Sequence, residues 1–211
     1  MDSLPGLAAG LIPLVGTQPP SGGFFMDRGK SAAARRAPQN GPIETAGPVM
    51  ARLSEKEAGG RNVLAFLDML AVSEGTDDGR QPTKDDGYDV LVGGKLFTGY
   101  ADHPNVLVRL SATLSSTAAG RYQILFRYWP HYRDLLELPD FGPQSQDRYA
   151  IQQIKERRAI ADIQAGRFDE AVAKVRNIWA SLPGAGYGQH EQKIERLRDA
   201  YVRAGGVLVG E

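Results

Sequence analysis

The apolar positions of the chain fall into two regimes that meet near residue 58. Before that point no period of 3.6 or 2 is sustained, and breakers such as Gln18-Pro19-Pro20-Ser21-Gly22-Gly23 and Asn40-Gly41-Pro42 recur. This predicts a flexible Gly/Pro/Ala-rich extension over residues 1–58, with room for a short helix around Val49–Glu57. From Asn62 the patterning is dense. Val63, Leu64, Phe66, Leu67 and Leu70 recur at helical spacing, with Asn62 placed as the N-cap and Gly75 just past the end. The run Tyr88–Phe97 surrounds Gly93-Gly94, and both central residues of a tight hairpin turn need positive φ, so two short strands are expected there. Ile124–Leu136 is apolar and aromatic, with Pro130 either kinking a helix or marking its start. Further amphipathic helices are expected over Gln144–Gln164, over Asp169–Ala180 and over Glu191–Ala204. One early helix, a small hairpin and several later helices make an α+β domain over residues 59–211.

Composition narrows the chemistry. At 211 residues, 42% hydrophobic and 24% charged, there is room for one ordinary globular domain and an appendage. Lys+Arg and Asp+Glu are 25 each, so the basic excess expected of a nucleic-acid-binding protein is missing. With no cysteine, disulfides, thiolate metal sites and a thiol nucleophile are excluded. The best apolar run, Leu4 to Val15, is too short to span a bilayer and is interrupted by Pro5 and Pro13, so no stable membrane insertion is expected.

The informative residue is Glu74, in Ala71-Val72-Ser73-Glu74-Gly75-Thr76. It falls in the last turn of an apolar helix, where exposed carbonyls disfavour a carboxylate and raise the pKa of an acid. Partial burial against the hairpin pushes the same way. A raised pKa keeps a general acid protonated near neutral pH. An isolated Ser-Glu-Gly is weak, because a solvated helix-end glutamate reads the same. Metal binding has little support: His103, His131 and His190 are far apart and form no ligand motif. Gly93-Gly94-Lys95 lacks the spacing of a phosphate-cradling loop, and no cofactor is expected. Trp179, Trp129 and Tyr128 fit the apolar faces of helices and read as core.

Longer stretches change the weighting of Glu74. They are Ala65–Ala71 running into Ser73-Glu74-Gly75-Thr76-Asp77, then Gly87-Tyr88-Asp89-Val90 with Val92-Gly93-Gly94. Ala119-Gly120-Arg121-Tyr122-Gln123, Gln152–Arg157 and Asn177–Gln189 follow in order. Over about residues 61 to 207 the chain resembles the lambda-type phage endolysins, a lytic transglycosylase family of the lysozyme-like superfamily; residues 1–58 have no counterpart in its short form. The resemblance implies a lysozyme-like fold with a small hairpin sheet beside a cleft. It implies cleavage of the β-1,4 bond between N-acetylmuramic acid and N-acetylglucosamine in peptidoglycan glycan strands. Glu74 aligns with the family's catalytic glutamate. It would protonate the glycosidic oxygen and then take the proton of the muramic acid 6-hydroxyl, which closes a 1,6-anhydro ring without consuming water.

Gly120-Arg121-Tyr122-Gln123 looks like the superfamily element facing the acid across the cleft, which makes Gln123 and Tyr122 candidate substrate contacts; Ser73, beside the acid, is a third. An amide can hold an acetamido or hydroxyl group by paired donor and acceptor contacts. In Pro183-Gly184-Ala185-Gly186-Tyr187-Gly188 the glycines allow close approach, and Tyr187 is a candidate aromatic wall for sugar rings, with core packing as the competing reading. Ordinary glycosidases use two carboxylates, and Asp77, Asp78, Asp85, Asp86 or Asp89 could serve in a hydrolytic muramidase. The resemblance further implies a monomer made in the host cytoplasm, passing through a holin pore to the periplasm and lysing the host. A virion-associated lysozyme used at entry, docked by residues 1–58, and a noncatalytic glycan-binding module are the other readings.

Overall fold

The computed structural model describes residues 51–186 and 191–209. Its organising element is the helix Arg61–Glu74, labelled α2 because Glu55–Ala58 forms a one-turn α1 ahead of it. Of its fourteen residues, nine are buried, so α2 is enclosed on most of its circumference rather than along one stripe. It packs against α1, against α5 (Ile160–Gln164) and most extensively against α7 (Ile194–Arg203). Phe66 of α2 meets Phe168, which opens α6 (Phe168–Val175), and Tyr201 of α7 edge-on at 5.9 and 6.5 Å between centroids. Such pairs contribute about 1 kcal/mol each beyond the area they bury.

The N-terminus of α2 differs from expectation. Gly60 is the cap residue and Asn62 lies inside the helix, where its side chain serves the far end of the chain. Its Oδ1 accepts from Val207 N at 3.0 Å and its Nδ2 donates to Gln164 O at 3.3 Å. Packing also begins ahead of the boundary at residue 59. Ser54 and Glu57 form a reciprocal capping box on α1, and Leu53 and Ala58 are buried in the core.

The expected hairpin at Gly93-Gly94 is present as a turn closed by one bridge, Val90 with Leu96, and not as two strands. Val92 N turns instead to Ala118 O at 2.9 Å and Leu91 bridges Ala119, so this segment pairs with chain nearly thirty residues away. The antiparallel two-stranded sheet of the described residues lies elsewhere: β1 (Val108–Arg109) pairs with β2 (Ser115–Ser116), in a stretch with no clear alternation.

Pro130 marks a helix start, in the first turn of α3 (Trp129–Leu135). The helix expected over Gln144–Gln164 is two, α4 (Pro143–Glu156) and α5, separated at Arg157-Arg158-Ala159. Arg158 takes φ +56° while Ala159 N reaches back to Ile154 O at 3.1 Å. The left-handed residue costs about 1 kcal/mol, offset by packing α5 onto α2. The next helix ends at Val175 rather than Ala180. Trp179 is drawn inward, its Nε1 donating to Tyr122 O at 3.3 Å. Among the described residues, no helix is long and apolar enough to cross a membrane.

Candidate active site

Glu74 is the last residue of α2, and the helix stops there because Gly75 adopts φ +70°. Thr76 N then caps Ala71 O at 3.0 Å, a closure that favours glycine at the left-handed position. The Glu74 side chain does not project into solvent as a helix-end glutamate usually does; the residue is 5% exposed. Its Oε1 accepts a hydrogen bond from Ser181 Oγ at 2.5 Å, and Oε2 is buried with no partner among the described residues. Burial pushes the Glu74 carboxyl up to about 7, against the opposing pull of the Ser181 bond. Desolvation, which disfavours the carboxylate, is thus the main origin of the raised pKa.

Contacts from Thr76, Asp77 and Asp86 hold the segment after Glu74 against the turn Gly120–Gln123, and Asp68 of α2 joins them. Thr76 Oγ1 donates to Arg121 O at 2.7 Å. The buried Arg121 guanidinium donates to Asp77 Oδ2 at 2.9 Å and to Asp68 Oδ1 at 2.7 Å. It also bonds Asp86 O and lies over the Tyr88 ring. The turn itself has Gly120 at φ +75°, where a Cβ would collide with the Gln146 carboxamide. Gln146 Oε1 accepts Arg121 N at 2.8 Å, and its Nε2 donates to Tyr88 O and Phe141 O.

The candidate substrate contacts separate in this setting. Gln123, at φ +49°, is held by its own amide, with Nε2 donating to Gly120 O at 3.0 Å and to Val90 O at 3.4 Å. That leaves Oε1, rather than a donor–acceptor pair, as the atom for any sugar contact. A non-glycine residue kept in this strained region is a recurrent feature of binding sites. Tyr122 is not placed at a cleft: it is buried, and its hydroxyl donates to Asp147 Oδ1 at 2.5 Å inside the core. Ser73 is likewise enclosed, its Oγ 2.7 Å from Ser181 Oγ and its carbonyl accepting from Gln192 Nε2 at 3.3 Å. Ser73 is turned by the helical period toward Ser181 and Gln192, and Tyr122 toward Asp147, so both hydroxyls are engaged inside the protein. Tyr187 lies outside the described residues.

Four of the five aspartates that could have supplied a second carboxylate are engaged elsewhere, while Asp86 is exposed. Asp77 pairs with Arg121, and Asp78 with Arg80 and Arg196. Asp85 accepts from Tyr100 Oη at 2.6 Å. Asp89 accepts from Thr83 Oγ1 at 2.5 Å and Lys84 N at 3.0 Å, bracing the loop between them. Asp86 holds Arg121 through its backbone carbonyl. Trp179, Trp129 and the half-buried Tyr128 belong to the core as their periodicity implies, and His103 packs among Phe126, Trp129 and Phe141.

A family model described as Endolysin matches residues 64–208. The endolysin of Escherichia phage lambda is 58% identical over 144 residues, covering 68% of this chain and 91% of that protein. The endolysin of Escherichia phage P2 is 54% identical over 157 residues, covering 70% and 94%. The chain belongs to the endolysin family. A solved structure of bacteriophage lambda lysozyme complexed with a chitohexasaccharide superposes with a TM-score of 0.69 at 54% identity, covering 75% of this chain and 99% of that one. The lysozyme-like fold follows.

Within this family member, the residues that sequence reasoning passed over are those acting from behind. Gln146 and Asp147 carry no local motif, and Arg121 sits in the Gly120–Gln123 stretch without having been singled out there. Ser181 lies in the matching stretch Asn177–Gln189, yet its tie to Glu74 spans 107 positions. Chemically, the arrangement presents one buried carboxyl with its pKa pushed up to about 7, one oxygen anchored and the other without a hydrogen-bond partner among the described residues.

Proposed function

We propose that the chain cleaves the β-1,4 bond between N-acetylmuramic acid and N-acetylglucosamine in bacterial peptidoglycan by lytic transglycosylation, leading to host-cell lysis. The observation that carries this reading is Glu74: buried, titrating at about 7, and bonded to a hydroxyl rather than to a second carboxylate. A group of that kind keeps a large protonated fraction near neutral pH and can donate to the glycosidic oxygen as the C–O bond breaks. The carboxylate left behind removes the proton of the 6-hydroxyl, whose oxygen closes on the anomeric carbon. One group therefore serves twice. The structural engagement of Asp77, Asp78, Asp85 and Asp89 supports this over a two-carboxylate hydrolase. The chitohexasaccharide bound by the lambda lysozyme fits a glycan substrate here.

Gln123 Oε1 is the sugar-orienting acceptor in this reading, and Tyr187 keeps its proposed place at the glycan wall. No metal or cofactor enters the reaction. The enzyme works as a monomer that reaches the periplasm through a holin pore. The catalytic domain includes residues 53–58, of which Leu53 and Ala58 pack into its core, and the residues ahead of them are the extension. Mass spectrometry of digested peptidoglycan tests the chemistry: anhydro-ended muropeptides are expected, whereas products heavier by one water identify a hydrolase.

A further inference from the structure

We infer that Ser73 and Ser181 form an ordered pair of hydroxyls that places the acid proton of Glu74 on Oε2, with Ser181 as the positioning residue. The inference rests on the acid/base role of Glu74 proposed above. Its basis is a count of protons in a closed space. Ser73 is fully buried, and its Oγ has Ser181 Oγ, at 2.7 Å, as its partner among the described residues. Ser181 Oγ has two neighbours, Ser73 Oγ and Glu74 Oε1, the latter at 2.5 Å. One arrangement satisfies both serine hydroxyls and gives the ionised carboxylate a donor: Ser73 donates to Ser181, and Ser181 donates to Glu74 Oε1. The reverse order would leave the Ser73 proton buried without an acceptor, which costs about 1–3 kcal/mol.

With Oε1 accepting, the proton of the neutral acid sits on Oε2, the oxygen that has no partner among the described residues. Bond cleavage then moves that proton from Oε2 to the glycosidic oxygen, and the leaving sugar takes the bonding pair of the broken C–O bond. The 6-hydroxyl proton returns to Oε2 as O6 bonds the anomeric carbon. The Ser181 hydroxyl remains on Oε1 throughout. It steadies the carboxylate formed between the two steps without leaving its place.

The positions of both serines are fixed from outside the pair. Gln192 N donates to Ser181 O at 2.8 Å while Gln192 Nε2 donates to Ser73 O at 3.3 Å, so one residue clamps both backbones. Trp179, two residues before Ser181, is anchored on Tyr122 O. The neighbouring charges are neutralised elsewhere: Asp77 by Arg121, and Asp78 by Arg80 and Arg196. Ser181 thus acts on Glu74 with little competition from ions.

The test titrates the Glu74 carboxyl by 13C NMR in wild type, Ser181→Ala, Ser181→Thr and Ser73→Ala, beside the pH profile of kcat on purified peptidoglycan. Removing the Ser181 donor takes away a bond to the carboxylate. The titration and the alkaline limb of kcat should therefore both move to higher pH by about one unit, with kcat at the optimum down about tenfold. Ser181→Thr keeps a hydroxyl and should restore the limb. Ser73→Ala should move it in the same direction by less, with KM unchanged. Native titration and native kcat in Ser181→Ala and Ser73→Ala overturn the inference. Glu74→Gln, assayed alongside, separates the two failures: an active Glu74→Gln removes the acid/base reading itself, whereas an inactive one with normal serine variants removes the hydroxyl pair alone.

Discussion

Glu74 and Asp147 are both buried carboxyl groups in this endolysin, and their surroundings differ in one respect that decides what each can do. Asp147 of α4 is fully buried and accepts from Tyr88 Oη at 2.7 Å, Tyr122 Oη at 2.5 Å and Leu53 N at 3.1 Å, with the Arg52 guanidinium nearby. Glu74 is nearly as enclosed but has one donor, Ser181. Burial raises the pKa of both, and in Asp147 four partners oppose the rise. A buried carboxyl with its lone pairs filled is a fastener, joining α4 to the N-terminal segment and to the Gly120–Gln123 turn. A buried carboxyl with one oxygen unfilled is held ready for chemistry. Burial alone does not make an acid catalyst; burial with a missing partner does.

That contrast can be broken in several places. The largest effect belongs to Glu74→Gln, which keeps the shape and removes the titrating proton. Lysis of purified cell walls should fall about a thousandfold or more, within the range for loss of a general acid–base group. Its circular dichroism should match the wild type. Next in size, Asp147→Ala strands two tyrosine hydroxyls and one backbone N–H inside the core. Urea unfolding should show a loss of about 3 kcal/mol, with activity per folded molecule retained. Inactivity of the folded Asp147→Ala protein would place that carboxyl in the chemistry and dissolve the distinction.

A third measurement follows stability against pH. The folded Glu74 pKa lies above its unfolded value of 4.5, so between the two the folded state binds the extra proton. The sign is therefore a stabilisation present below about pH 4.5 and lost as pH rises through about 7. The change across that window is about 3 kcal/mol. Subtracting the Glu74→Gln stability curve from that of the wild type should isolate this slope; a flat difference means that the carboxyl is solvated. The smallest effect is at Glu191, a partly exposed residue whose carboxylate accepts from Gly184 N at 2.7 Å and Gly186 N at 2.8 Å. These backbone donors lower its pKa, so its contribution is present at neutral pH and lost on acidification. Glu191→Gln should shift Tm at pH 7 by about 2 °C or less and leave the alkaline limb of activity untouched.

Much of the helical framework could be read from periodicity. The apolar spacing from Val63 to Leu70 and the glycine at 75 locate α2 and its end, because both signals act within one or two turns of helix. The break at Arg158 could not be read, since an arginine in the left-handed region has no local signature and is held there by α5 packing on α2. The β1–β2 pair escaped for a related reason: strands of two residues carry too little alternation to register. Asn62 looked like a cap because its type suits one, yet Val207, brought in by the chain's return, took its side chain.

For the site, the residues themselves determined the candidate acid, its place at a helix end and the direction of its pKa shift. They also limited the chemistry, with no cysteine and no histidine pair in ligand spacing. Tertiary structure alone decided the cause and the consequence. Near-complete burial, anticipated from the sequence only as partial, raises the Glu74 pKa. The serine expected to touch substrate instead supports Ser181, and Tyr122 belongs to Asp147. Charge type and helical position are properties of a short segment. Desolvation and hydrogen-bond vacancy depend on what the rest of the chain brings to an atom's surface, and for Glu74 that comes from 107 residues away.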